Sequence, residues 1–283
     1  MDVKTYRSYA EDSTLEIPLS RLAPRLLGSL DPFIDALDGR FPDVADRVAT
    51  RLTALIHETA PDSSRSVPVP SDPRPGVSFA HAARFPELCG AHVDLICELL
   101  GVEYDALLDE KPTELSQRQF IRTRFVPGYL RLLALSNAVG RNDAIDFFKG
   151  HLDRTIAGMP SRPDGPQTLH EFRELQADFN LREQGMDWTQ AIVGEHQYLN
   201  KVTVCRIQRV LAEYDPELMD VVACYPDFAM LRRIHPSFAL TRTQTLIGGG
   251  TCCDSCYHDE RYLPEFEHPP ISIFDDLPDP ADG

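Results

Sequence analysis

The sequence predicts an α+β fold, a helical N-terminal half followed by an antiparallel sheet with two inserted helices. Three observations point there. Apolar residues recur at helical spacing between residues 44 and 156. WTQAIV and QYLNKVTV then alternate and carry β-branched or aromatic residues, the pattern of strands. Two further helical stretches separate these from FALTRTQTLI, a strand, whose antiparallel partner is CYHDERYL.

Taken in order, residues 1–40 give a mixed signal. SRLAPRLLGSLDPFIDAL is helical in pattern, with Pro24 and Pro32 interrupting it. Val44, Val48, Leu52, Leu55 and Ile56 share one helical face. ETAPDSSRSVPVPSDPRPG supports no regular element and reads as a linker or exposed loop. Val93, Ile96, Cys97 and Leu100 mark a helix stopped by Gly101, and Cys89 and Cys97 read as core thiols. Phe120, Ile121, Phe125, Tyr129, Leu130 and Leu133 continue the apolar stripe, with a kink or break expected at Pro127. Ile145, Phe148, Leu152 and Ile156 predict another helix, ended by GMPSRPDGP. CRIQRVLAEY is helical again, and Asp215-Pro216-Glu217 starts the second inserted helix with an N-cap, a proline at the first position and an acid in the first turn. The tail PEFEHPPISIFDDLPDPADG is acidic and proline-rich, so disorder or loose docking is expected. The boundaries expected are a helical extension with its linker over 1–80, an α+β domain over 81–264 and the tail over 265–283.

Composition narrows the function. The 283 residues carry 28 basic and 44 acidic side chains, a net charge of −16. Phosphate neutralisation requires a dense basic face, so nucleic acid is excluded as a partner. No apolar run approaches the length of a membrane span, and the first residues lack the plan of a signal peptide. The expected address is cytoplasmic, where the seven cysteines stay reduced.

Three of those cysteines crowd LIGGGTCCDSC at Leu246–Cys256. Around them, VTVCRIQRVLAEYDPELMDVVACYPDFAMLRRIHPSFALTRTQTLIGGGTCCDSCY resembles the core of the L-2-amino-thiazoline-4-carboxylic acid hydrolase family. The shared features are a strand ending in Cys205, a short helix, Cys224 with Asp227 three residues later, an Arg242/Thr243/Thr245 strand, then glycines and the pair Cys253-Asp254. Ser255 stands where the family usually carries an aromatic residue, and Cys252 and Cys256 are additional.

The resemblance implies hydrolytic opening of a C–N or C–S bond in a small carboxylate-bearing compound, a cysteine-dependent reaction without a cofactor. Cys253 is the nucleophile candidate, with Gly248-Gly249-Gly250 allowing close backbone approach to a ligand. Asp254 or Asp227 supplies acid–base chemistry, Cys224 faces the same pocket, and Arg242, Thr243, Thr245 and His235 bind substrate. Phe238, Leu240, Arg242, Gln244 and Leu246 fall on one face of a strand, so a buried Arg242 requires an anion. That anion is either a substrate carboxylate or a structural partner, Asp227 or Asp254.

Two other readings stand beside this one. Cys253-x-x-Cys256 has zinc-knuckle spacing, with Cys252, His258, Cys205 and Cys224 as scattered partners, but it lacks the paired second half of a zinc motif. A zinc- or ligand-binding sensor, or a relative catalysing cyclisation or cleavage without water, uses the same scaffold. Glu195 and His196 are pocket candidates by position alone.

Overall fold

The computed structural model describes residues 2–60, 79–159, 165–183, 185–193, 196–263 and 265–280. The Pro/Ser-rich stretch from residue 61 and Glu195 lie outside the described residues. In chain order the elements are β1 (Asp2–Arg7), β2 (Thr14–Pro18), α1 (Leu19–Leu27), α2 (Leu30–Arg40), α3 (Ala45–Thr59), α4 (Pro86–Leu100), β3 (Pro112–Ser116), α5 (Gln117–Val139) and α6 (Arg141–Ala157). They continue with α7 (Leu169–Glu183), β4 (Met186–Ile192), β5 (Gln197–Cys205), α8 (Arg206–Val210), α9 (Pro216–Ala223), α10 (Pro226–Ile234), β6 (Phe238–Thr241), β7 (Cys253–Asp259) and α11 (Ile271–Asp275). The class is α+β, with helices dominating the first half.

The chain forms two compact units, one of residues 12–151 and one joining 1–11 to 152–283. The boundary expected near residue 80 therefore falls inside the first of these. In that unit, Val48, Leu52, Leu55 and Ile56 of α3 are buried as their spacing predicts. α4 ends at Gly101, whose φ of 69° places it in the left-handed region that closes helices. The segment 19–40 is two helices, because the chain turns at Gly28 and Ser29, while Pro24 lies inside α1. Pro127 likewise sits within α5 without ending it. Ser116 caps α5 reciprocally with Gln119, and β2 and β3 pair as a two-stranded antiparallel sheet.

The other unit is built on a five-stranded antiparallel sheet in the order β1-β4-β5-β7-β6. Residues 2–7, a mixed signal in the sequence, become its edge strand. Between β5 and β6 the chain forms three helices rather than two, since Pro226 starts a new helix. The Asp215 cap holds as expected, its carboxylate accepting from the backbone N–H groups of Glu217 and Leu218 at 3.1 and 3.2 Å. The predicted strand 238–247 ends at Thr241, and residues 242–252 are a loop.

Side chains alternate across a strand, so the sheet has two distinct faces. On one, Phe172 of α7 and Leu231 of α10 pack against Tyr198, Phe238, Leu240 and Tyr257. Farther along that face, Ala177 of α7 packs with Trp188 and Val202. On the other, Ala191, Leu199 and Cys256 meet Phe274 and Leu277. The tail expected to be loose is thus docked by two fully buried side chains. Lys201 fixes it further, donating to the Leu277 carbonyl at 3.0 Å and pairing with Asp279 at 2.7 Å.

Two buried histidines set an acid limit. Burial, then the charge of Arg131, pulls His92 down to about 4. Burial, then His268, does the same to His258. Below the ordinary histidine value of 6.5 the unfolded chain takes up protons that the folded chain refuses, so stability falls from about pH 6.5 towards pH 4. Urea unfolding at pH 7 and near pH 4.5 is expected to differ by about 2.5 kcal/mol from His92 alone, and His92→Gln to remove that part of the slope.

Candidate active site

Arg242 follows directly on β6, and its guanidinium is reached by three separate segments. Its Nε donates to Ser255 Oγ at 2.9 Å, Nη1 to the Cys224 carbonyl at 3.3 Å and Nη2 to Asp227 Oδ2 at 2.9 Å. The Arg242 side chain is 8% exposed, and Asp227 is 53% exposed. Burial works against the guanidinium charge, but Asp227 and the nearby Tyr257, Cys224 and Cys253 outweigh it, and the pKa lies above the ordinary value. A guanidinium has five N–H groups, and these three bonds leave two for another anion.

Three thiols gather near this cation. Cys253 opens β7, Cys205 closes β5, and Cys224 sits at the end of α9. Cys253 is pushed up to about 12 by burial first and Cys205 second, while the Leu246 N–H, donating to Sγ at 3.3 Å, and Arg242 pull the other way. Burial, with Asp220 and Asp227, holds Cys224 well above the ordinary thiol value. Cys205 is also raised by burial, against the backbone N–H groups of Gln208 and Ile207. All three rest as neutral thiols.

Asp254 faces the other way, because neighbouring residues of a strand point to opposite faces. Its carboxylate accepts from the backbone N–H groups of Thr243 and Gln244 at 2.9 and 3.0 Å, from the Thr243 hydroxyl, and from His268 Nε2 at 3.1 Å. The geometry makes it the anchor of the 242–252 loop. Thr243 is spent on that anchor, and Thr245 donates to Asp220. The glycines serve the loop as well. A Cβ on Gly250 would lie 2.6 Å from Gln244 Oε1 and one on Gly248 3.1 Å from Thr245 Oγ1, so they permit close packing within the loop.

His235 lies apart from the thiols, stacked on Phe238. Its pKa is lowered by burial and Arg261, against Asp259. Phe238 and Leu240 share the face of Arg242 as expected, but Gln244 turns back to Cys252 Sγ and the Thr251 N–H. Cys253 and Cys256 are three apart on β7 and so lie on opposite faces, which breaks the zinc-knuckle reading of that pair. Among the described residues no group of three or more His, Cys, Asp or Glu is placed to hold a metal.

Sequence reasoning passed over Ser255 as anything but a departure from a pattern, and it passed over α7. Gln176 of α7 donates to the Tyr257 hydroxyl at 2.8 Å and accepts from Tyr198, roofing the site. The alternation of β7 was the available signal for Ser255, since it places Ser255 beside Cys253 on one face.

Comparison with known proteins adds one finding. Residues 134–257 match the family model of L-2-amino-thiazoline-4-carboxylic acid hydrolase, a span that includes Arg242, Asp227 and all three thiols. No curated protein and no solved structure matches the chain.

Two outcomes follow from this geometry. Asp254→Ala leaves two buried amides and His268 without their acceptor and is expected to cost about 3 kcal/mol in urea unfolding. Alkylation of Cys253 by iodoacetamide should climb about tenfold per pH unit between about pH 8 and pH 11, following the thiolate fraction of a group near 12. A plateau in the labelling rate by pH 9 would contradict the burial argument.

Proposed function

We propose that this chain is an enzyme of the L-2-amino-thiazoline-4-carboxylic acid hydrolase type, which opens a C–N or C–S bond of a small, carboxylate-bearing, amino-acid-derived compound with Cys253 as nucleophile. The observation that supports it best is the meeting of a buried guanidinium, a half-exposed carboxylate and three thiols on one face of the sheet, inside the matched segment.

The substrate carboxylate takes the place of Asp227 on Arg242. A planar guanidinium suits the exchange, because Asp227 takes only one bond, from Nη2, and that N–H together with the two left over can donate to an incoming carboxylate. Asp227 is exposed enough to turn into solvent, and of the two aspartates proposed for acid–base work only it lies on the side of Cys253.

A neutral thiol changes the order of events. For a cyclic amidine flanked by sulfur, the Cys253 S–H adds across C=N, the sulfur bonding to carbon and the proton passing to the ring nitrogen. Amidine nitrogen is more basic than a carboxylate, so the substrate receives this proton itself. The carbon then restores its double bond by releasing the ring sulfur as thiolate. Water adds to the same carbon, giving one proton to the released thiolate, and Cys253 departs with the other. The sum is substrate plus water giving a ureido acid with a free thiol. Asp227 relays protons at the water step.

Turnover of L-2-amino-thiazoline-4-carboxylate, followed by release of free thiol, tests the reading. Cys253→Ala and Cys253→Ser are expected to fold and to lose about a thousandfold or more in kcat. Arg242→Lys should raise KM by roughly ten- to a hundredfold, since a point charge replaces the fork. Cys253→Ala turning over at the original rate would remove Cys253 from the chemistry.

A further inference from the structure

The register of the sheet places Lys4, Gln190, Asn200 and Ser255 side by side on four neighbouring strands, on the face that carries Arg242. This is a polar row between two apolar ones. Tyr6, Trp188, Val202 and Cys253 lie on one side of it, and Ile192, Tyr198 and Tyr257 on the other, with Asp2 at the β1 edge of that second row as its one charged member. The ends of the row are satisfied. Lys4 pairs with Glu174 at 3.0 Å, and Ser255 accepts from Arg242.

The middle is satisfied only in part, the Asn200 side chain bonding the Tyr257 hydroxyl. Gln190 is 0% exposed and Asn200 4% exposed. Both side-chain heteroatoms of Gln190, Oδ1 of Asn200 and Nε1 of the fully buried Trp188 have no hydrogen-bond partner among the described residues. Burying such atoms unpaired is costly, and an apolar residue would fit two apolar neighbours better. Four orphaned atoms on two adjacent strands, two and three strands from a buried guanidinium on the same sheet face, mark a place made for a polar guest.

We infer that Trp188, Gln190 and Asn200 form a neutral donor–acceptor subsite for the amide-, ureido- or amidine-like part of the small molecule whose carboxylate Arg242 binds. The inference rests on the carboxylate reading above. Gln190 Nε2 and Trp188 Nε1 donate, while Gln190 Oε1 and Asn200 Oδ1 accept, which matches a planar group offering both N–H and a C=O or C=N lone pair. Among the described residues no charged side chain bonds these four atoms, and Lys4 beside Gln190 is taken up by Glu174, so the complementary group is uncharged. Asn200 and Arg242 stand two strand spacings apart, about 10 Å at the backbone, which side chains reaching inward shorten to the size of an N-acylated amino acid. α7 closes over the row with Gln176 and Ala177.

The test uses two isosteric probes, N-carbamoylglycine and 4-methylpentanoate, which share a carboxylate and differ in the planar polar group. Calorimetric titration of the full chain is expected to show the first bound roughly 100-fold more tightly. Gln190→Met should keep the affinity for 4-methylpentanoate, reduce that preference to within about threefold, and leave Tm equal or higher, since it removes orphaned atoms at constant shape. Trp188→Phe should weaken N-carbamoylglycine alone. Equal binding of both probes by the unmodified chain overturns the subsite, and so does a Gln190→Met variant that binds N-carbamoylglycine unchanged. The carboxylate reading fails separately if Arg242→Gln retains both affinities. Binding of neither probe by the unmodified chain overturns both.

Discussion

A buried cation has to be neutralised and hydrogen-bonded where it stands, and Arg242 is the buried cation around which this sheet face is organised. Its partners come from α10 through Asp227, from the end of α9 through the Cys224 carbonyl, and from β7 through Ser255. Three segments distant in sequence are thereby held at one point. The thiols of Cys224 and Cys253 arrive there as neighbours of those partners, and Cys205 arrives because β5 is the strand next to β7.

The alternation of β7 divides the labour. Cys253, Ser255 and Tyr257 face the cation, while Asp254, Cys256 and His258 face the docked tail. The second set is structural in its contacts: Asp254 winds the loop, Cys256 packs with Phe274, and His258 bonds Thr241 and Gln197. A loop held so firmly fixes the start of β7, and with it the position of Cys253. The carboxylate that sequence proximity pairs with this thiol is therefore the one the strand turns away from it.

Burial also governs reactivity. A thiol near 12 is inert towards adventitious electrophiles, so the resting protein protects its sulfurs. Chemistry at such a thiol requires that its proton leave together with bond formation, and in the proposed reaction a basic nitrogen on the substrate provides for this. In the reaction proposed above, exchange of carboxylates on Arg242 couples binding to the same step, because it brings the reactive carbon over Cys253 only when Arg242 is engaged.

Much of the architecture was legible in one sequence. Helical periodicity marked α3, α4 and α6, alternation marked β4 and β5, and Asp215-Pro216 marked the start of α9, since each signal is local and repeats a backbone geometry. The edge strand β1, the helix α7 and the docking of Phe274 were not legible, because short or weakly patterned segments take their structure from the surface they cover. The family resemblance also pointed to Arg242, Asp227, Cys224 and Cys253 as residue types suited to the proposed chemistry. Only the tertiary structure decided that Asp254 anchors a loop, that Cys253 and Cys256 lie on opposite faces, and that Gln190 and Asn200 share the sheet face of the cation. The physical reason is that composition and spacing specify which groups a chain carries, whereas strand register and burial, which depend on contacts far apart in sequence, specify which of them meet and in what state of protonation.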